Sequence, residues 1–302
     1  MYEQISSNKR RTVLLVFFML ALFAGVGYVL GYLVAGAGLV GLVVAFIVVL
    51  FMSFASYRWG DKLVLASARA REATPEEQPR LHNIVEGLSI AAGIPKPRVY
   101  VIPEMAPNAF ATGRNPEHSS VAVTEGLLGM MNRVELEGVI AHELSHVVDR
   151  DILLGTVIAT LVGVIVLVAE VMLRWFWWGG IGGKRGSDKG GGAAGLIFAA
   201  IGVVLLILAP LFAQIIKFAV SRRREYLADA QGAMLTRYPP GLAAALRKIA
   251  ATPAAMRSAN NATAHLWLNQ PSRIQGESMG LMERLFSTHP PIQDRIRILE
   301  EM

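Results

Sequence analysis

A mainly α integral membrane protein, with about four transmembrane helices and an α+β domain at the cytoplasmic face, is the architecture that three features of this chain predict. Only 17% of its 302 residues are charged and 53% are hydrophobic, against about 25% charged in an ordinary soluble domain. Residues 12–57 carry no charged side chain and no histidine, which is room for two helices of about 20 apolar residues each. The stretches 58–151 and 221–302 mix polar and apolar residues and read as two parts of one soluble domain, split by a second apolar segment, 152–220.

Taken in order, residues 1–11 form a basic cytoplasmic tail ending in Lys9, Arg10 and Arg11. The hairpin 12–57 turns at Ala35-Gly36-Ala37-Gly38. Its apolar length far exceeds a signal-peptide core of about 7–15 residues, so a retained anchor is expected. The second hairpin pairs the apolar runs 152–169 and 190–216 across a glycine-rich linker, 179–195. Trp175-Phe176-Trp177-Trp178 reads as an interfacial aromatic belt. Basic clusters at Arg58, Lys62, Arg69 and Arg71 and at Lys217, Arg222, Arg223 and Arg224 mark cytoplasmic flanks, which puts both termini inside. Arg174, Lys184, Arg185 and Lys189 dissent, because they fall where an outer loop is expected. A partly embedded second hairpin is the alternative.

Within the soluble part, Thr74-Pro75-Glu76-Glu77 predicts a capped helix start. Leu81, Ile84, Val85, Leu88 and Ala92 continue it at helical spacing, and Gly93 and Pro95 stop it. Residues 98–102 and 120–124 alternate as strands. Asn132-Arg133-Val134-Glu135 is a second capping box. The helix it opens meets no breaker after His146 and before residue 152, so it is expected to run on into the third apolar run.

Two exclusions narrow the chemistry. With no cysteine, disulfides and thiolate ligands are absent, and any zinc must take nitrogen and oxygen donors. The net charge of +6 does not point to nucleic acid, because the basic residues flank the apolar runs, where lipid headgroups explain them.

The helix opened at Asn132 carries His142-Glu143-Leu144-Ser145-His146. The pattern H-E-x-x-H sets two imidazoles one turn apart on one face, where they can share a Zn²⁺, with the adjacent glutamate placed as general base. With 6 histidines in the chain, chance yields this pattern roughly 0.007 times. The plain alternative is a pair of surface histidines. A catalytic zinc needs a third protein ligand. The metzincin extension is excluded, since Asp149 and Ile152 stand where glycine and histidine are required. Glu225 is the best remaining candidate. It lies 79 residues beyond His146, but a hairpin over 152–220 would return it to the same side and a similar height. Asp229, one turn on, could orient a ligand histidine. His82, His118 and His265 lack ligand spacing and read as surface or core residues.

His142-Glu143-x-x-His146, Glu225-x-x-x-Asp229, Asn108-Ala109-Phe110-Ala111, Thr288-His289-Pro290-Pro291 and the flanking apolar hairpins together resemble the HtpX-type membrane zinc proteases. These gluzincins are relatives of the CAAX prenyl proteases and the mitochondrial Oma proteases. The resemblance spans nearly the whole chain. It implies a zincin-like protease domain and one Zn²⁺ per chain. It further implies a place in the cell inner (plasma) membrane and a role in quality control of misfolded or damaged membrane proteins under stress. It places Asn108, Ala109 and Phe110 on or beside an edge strand that binds extended peptide substrate. His289 it places near the oxyanion. From the residues alone, Asn108-Ala109-Phe110 reads equally as a turn and a core aromatic, and His289 as a helix-entry histidine. The lipid bilayer and unfolded polypeptides are the expected partners. The rival readings are stricter prenyl-protein specificity, for which four spans are too few to enclose a chamber, and a non-enzymatic membrane scaffold or transporter.

Overall fold

The computed structural model describes residues 2–162, 222–252, 256, 263–269 and 290–302. The first two helices, α1 (Tyr2–Ala35) and α2 (Gly38–Ser67), form the expected hairpin, turning at Gly36 with φ +65°. Ser6–Val29 and Gly38–Ser67 are long and apolar enough to cross a bilayer. Unlike the core helix of a soluble protein, they leave their apolar side chains exposed: Phe17, Leu39 and Phe51 are 69%, 73% and 65% accessible. The two helices touch through small residues. A Cβ added at Gly41 would lie 2.1 Å from the Gly27 carbonyl oxygen, so no side chain fits there. Both helices outrun their expected bounds. Helix α1 begins at Tyr2, so the basic tail is its first turns, and Asn8 Nδ2 donates to the Asp149 carbonyl. Helix α2 continues past Tyr57 to Ser67, bringing Gly60 against Thr156 and Thr160.

The soluble part follows as β1 (Arg71–Glu72), α3 (Pro79–Ala92), β2 (Arg98–Ile102), β3 (Ala109–Asn115), β4 (His118–Thr124), α4 (Glu125–Met130) and α5 (Arg133–Val148). Next come α6 (Ile152–Val162), α7 (Arg222–Thr236), α8 (Pro239–Ala250), a 3₁₀ turn at Ala264–Leu266 and α9 (Ile292–Glu300). Four strands lie in the order β1-β2-β4-β3. Strand β2 runs parallel to β4, and β1 and β3 run antiparallel to their neighbours, so β3 is an edge strand. One face of the sheet packs with α3, α5 and α8 into a core that includes Leu81, Val85, Val121, Leu136, Val139, Ile140 and Leu246. That burial removes the apolar stripes of three helices from water together, which isolated helices of this length could not offset.

Two local expectations are corrected. Thr74 and Glu77 do exchange the reciprocal bonds of a capping box, but they close a turn, and the helix begins at Pro79. Proline cannot donate to a preceding turn, so a helix entering from Thr74 would lose a hydrogen bond at Pro79. Helix α5 has the expected capping box at Asn132 and Glu135 but does not run on into the apolar segment. It stops at Val148, with Arg150 at φ +56°, and α6 starts afresh at Ile152. No glycine or proline announces this break; the following residues hold it. Of the third apolar run only 152–162 is described. There Leu154, Val157, Ile158 and Leu161 pack with Met19 of α1. The fourth run, the linker 179–195, the aromatic belt and the dissenting basic residues lie outside the described residues, and two candidate spans stand among those described.

Candidate active site

His142 and His146 project from one face of α5, rings edge-to-face at 87° and their Nε2 atoms 3.2 Å apart. Each ring is fixed from behind at Nδ1. Asp229 Oδ1 stands 2.9 Å from Nδ1 of His142, and Asp151 Oδ2 stands 2.9 Å from Nδ1 of His146. With Nδ1 occupied, each ring presents Nε2 to the same point. Glu225 completes the group, its carboxylate oxygens 3.8 Å from His142 Nε2 and 3.9 Å from His146 Nε2. One donor atom from each of the three residues lies within 4.8 Å of the other two. Two nitrogens about 2.0–2.1 Å from a tetrahedral ion stand about 3.3 Å apart, so the histidine pair has the spacing that a zinc-sized cation requires.

The approach of α7 to α5 makes this possible. Glu225, Asp229 and Gly232 follow at helical spacing on one face of α7. A Cβ at Gly232 would lie 3.0 Å from the backbone nitrogen of His142. Glycine there lets the helices close far enough for a short carboxylate to reach the imidazoles. The break after Val148 supplies the other support. Turning the chain at Arg150 swings Asp151 back under His146; a helix continuing through 150 would have carried that carboxylate away.

Glu143 points from the same turn into the cleft lined by Ala111, His146, Asp151 and Trp267. It is 2% accessible. Burial, with Glu225 nearby, pushes its carboxyl up to about 7, although His146, Arg295 and a hydrogen bond from the Ala111 backbone pull the other way. Burial lowers His142, partly countered by Asp229. Burial would lower His146 too, but Asp151, Glu225 and Glu143 raise it to about 10. Asp229 would rise on burial, yet Arg295 and His142 hold it at about 2. The half-buried His146 ring thus faces three carboxylates, whose charges outweigh its desolvation.

Residues 75–302 match the family model described as peptidase family M48. This chain belongs to peptidase family M48. Its M48 relatives include a "Protease HtpX homolog" of Thermoanaerobacter pseudethanolicus, 49% identical over 303 residues and covering 100% of this chain and 98% of that protein. Another from Pyrococcus furiosus is 46% identical over 294 residues, covering 97% and 95%. The fold is similar to the crystal structure of S. mikatae Ste24p, with a TM-score of 0.50 at 16% identity, covering 99% of this chain and 67% of that one. The chain is thus an M48 peptidase of the HtpX type with two candidate membrane spans among the described residues, in a family whose members are metallopeptidases.

In this M48 chain the other sequence-derived residues are placed as follows. Asn108 precedes edge strand β3, and its Nδ2 donates to the Asn269 carbonyl at 2.7 Å. The Ala109 carbonyl accepts from Leu268 N–H at 2.9 Å. Phe110 packs edge-to-face on Trp267, 4.8 Å between centroids, and is buried. Ala111 is the strand residue that lines the cleft. His289 lies outside the described residues. Two further groups, Asp151 and Arg295, were not singled out by motif. Arg295 had a signal: it interrupts the apolar stripe Ile292, Ile296 and Leu299 of α9. Asp151 had none, because its role depends on an unannounced turn.

Proposed function

We propose that this chain is a zinc-dependent endopeptidase at the cytoplasmic face of the cell membrane, hydrolysing peptide bonds in misfolded or damaged membrane proteins. The observation that carries the reading is the convergence of His142, His146 and Glu225 donor atoms within 4.8 Å beside the buried carboxyl of Glu143. His142, His146 and Glu225 would hold Zn²⁺. Bound there, the ion supplies Lewis-acid polarisation of a carbonyl and makes water acidic enough to attack near neutral pH.

The protein's own groups do the rest. Glu143 accepts a proton from the attacking water and returns it to the leaving amine nitrogen. The Ala111 backbone hydrogen bond steadies the Glu143 carboxylate at the cleft wall. Asp229 and Asp151 keep both imidazoles turned to the ligand point. Extended substrate lies along β3, with Asn108, Ala109 and Phe110 shaping its path. Leu268 already occupies the Ala109 carbonyl, so strand pairing centres on Ala111. His289 serves the oxyanion. Both termini are cytoplasmic in this reading.

Purified wild-type protein should carry about one chelator-removable zinc and cleave an unfolded membrane substrate. Glu143→Gln should keep the zinc and lose cleavage by at least about 10²–10⁴-fold, whereas Glu225→Ala should lose both. Cleavage by Glu143→Gln at the wild-type rate removes the base assignment. A zinc-free wild type with an intact function favours the scaffold reading.

A further inference from the structure

Arg295 is 2% accessible and stands against two residues of the triad, His142 and Glu225, and against Asp229 behind them. Its Nε donates to Asp229 Oδ2 at 2.8 Å, and its Nη2 donates to Oδ1 at 2.7 Å, a two-point fork. Its Nη1 donates to the Leu268 carbonyl at 3.2 Å and stands 3.7 Å from Glu225 Oε2. Nη2 is 3.4 Å from both ring nitrogens of His142. Equal distances to both put Nη2 on the plane that bisects the two ring nitrogens, out of line with the Nε2 lone pair, which stays free to point at the shared centre.

We propose that Arg295 is a positioning residue for the metal centre. Its fork locks the Asp229 carboxylate so that Oδ1 stays on His142 Nδ1. The same side chain joins α9 to α7 and, through Leu268, to edge strand β3. The C-terminal helix therefore builds the site without contributing a ligand. The inference rests on the zinc reading above.

Charge alone argues for the opposite outcome, which makes the test decisive. A guanidinium this close repels a divalent cation, so deleting it would tighten binding if electrostatics dominated. Loss of an outer partner of a ligand histidine typically weakens metal affinity 10–100-fold.

Full-length protein in detergent, stripped of metal, is titrated with zinc against a chromophoric chelator, and the thermal midpoint of the metal-free form is recorded alongside. Arg295→Met should weaken zinc about 10–100-fold with little change in the metal-free midpoint, and Arg295→Lys should recover part of the loss. The pair Arg295→Met/Asp229→Asn should bind no more weakly than Asp229→Asn alone, because Arg295 acts through Asp229. Unchanged or tighter binding by Arg295→Met overturns the inference, as do losses that multiply in the double variant. If Arg295→Met does not fold, Arg295→Lys decides: weaker binding supports the role, and wild-type affinity ends it. Failure of wild type to bind zinc, or wild-type affinity in His142→Ala, sinks the zinc reading itself and is separable from either result.

Discussion

His142 and His146 are held by the same device drawn from two places: a carboxylate on Nδ1 that turns Nε2 outward. Asp229 comes from α7. Asp151 comes from the residue just before α6. Removing either carboxylate's charge should loosen its ring. Asp151→Asn is expected to weaken zinc about 10–100-fold while leaving the fold intact, read by chelator competition; undiminished affinity would leave Asp151 as a simple charge partner of His146. The three candidate ligands were legible in the sequence, the histidines because their spacing is local and Glu225 because a hairpin over 152–220 would return it. Asp151 was not, because residues 149–151 look like uninterrupted helix until Arg150 takes φ +56°.

Helix α5 was readable end to end at its start and unreadable at its stop. Asn132 and Glu135 form both bonds of the capping box, and Asn132→Ala should cost about 1 kcal/mol, measured as a lower thermal midpoint. The α5–α7 contact depends on a residue with no side chain. Gly232→Val should force the helices apart, destabilise by about 1–3 kcal/mol through overpacking, and reduce zinc stoichiometry. A stable variant with full zinc would show that the closeness of these helices is dispensable. Strands β2 and β4 followed from alternation, whereas edge strand β3 came only from resemblance. Its Ala109-Phe110-Ala111 lacks alternation because all three side chains are buried, so neither face signals itself. The capping signature at Thr74 was real chemistry at the wrong scale: its bonds formed, but Pro79 set the helix.

Across the whole molecule, the site joins pieces from opposite ends of the chain. Asn8 reaches the end of α5, α6 lies against α1, and Arg295 reaches His142 from α9. Metal that binds only this assembled state should stabilise it: at free zinc about 100 times the dissociation constant, linkage gives about 2.7 kcal/mol, seen as a fall in the thermal midpoint on chelation. The cysteine-free chain also allows a direct topology test. Single cysteines introduced at Glu3 and Met302 should both react only from the cytoplasmic side; labelling of either from outside would refute the proposed orientation. Composition and spacing were enough for the apolar hairpin and the H-E-x-x-H helix, because those depend on runs and periods along one segment, and the third carboxylate followed from the return that a hairpin over 152–220 would make. The sheet edge, the break at Arg150 and the guanidinium behind Asp229 arise only when distant segments pack together. Each is stabilised by contacts between segments far apart in the chain, and only Arg295 leaves a trace in its own segment, as a charge within the apolar stripe of α9.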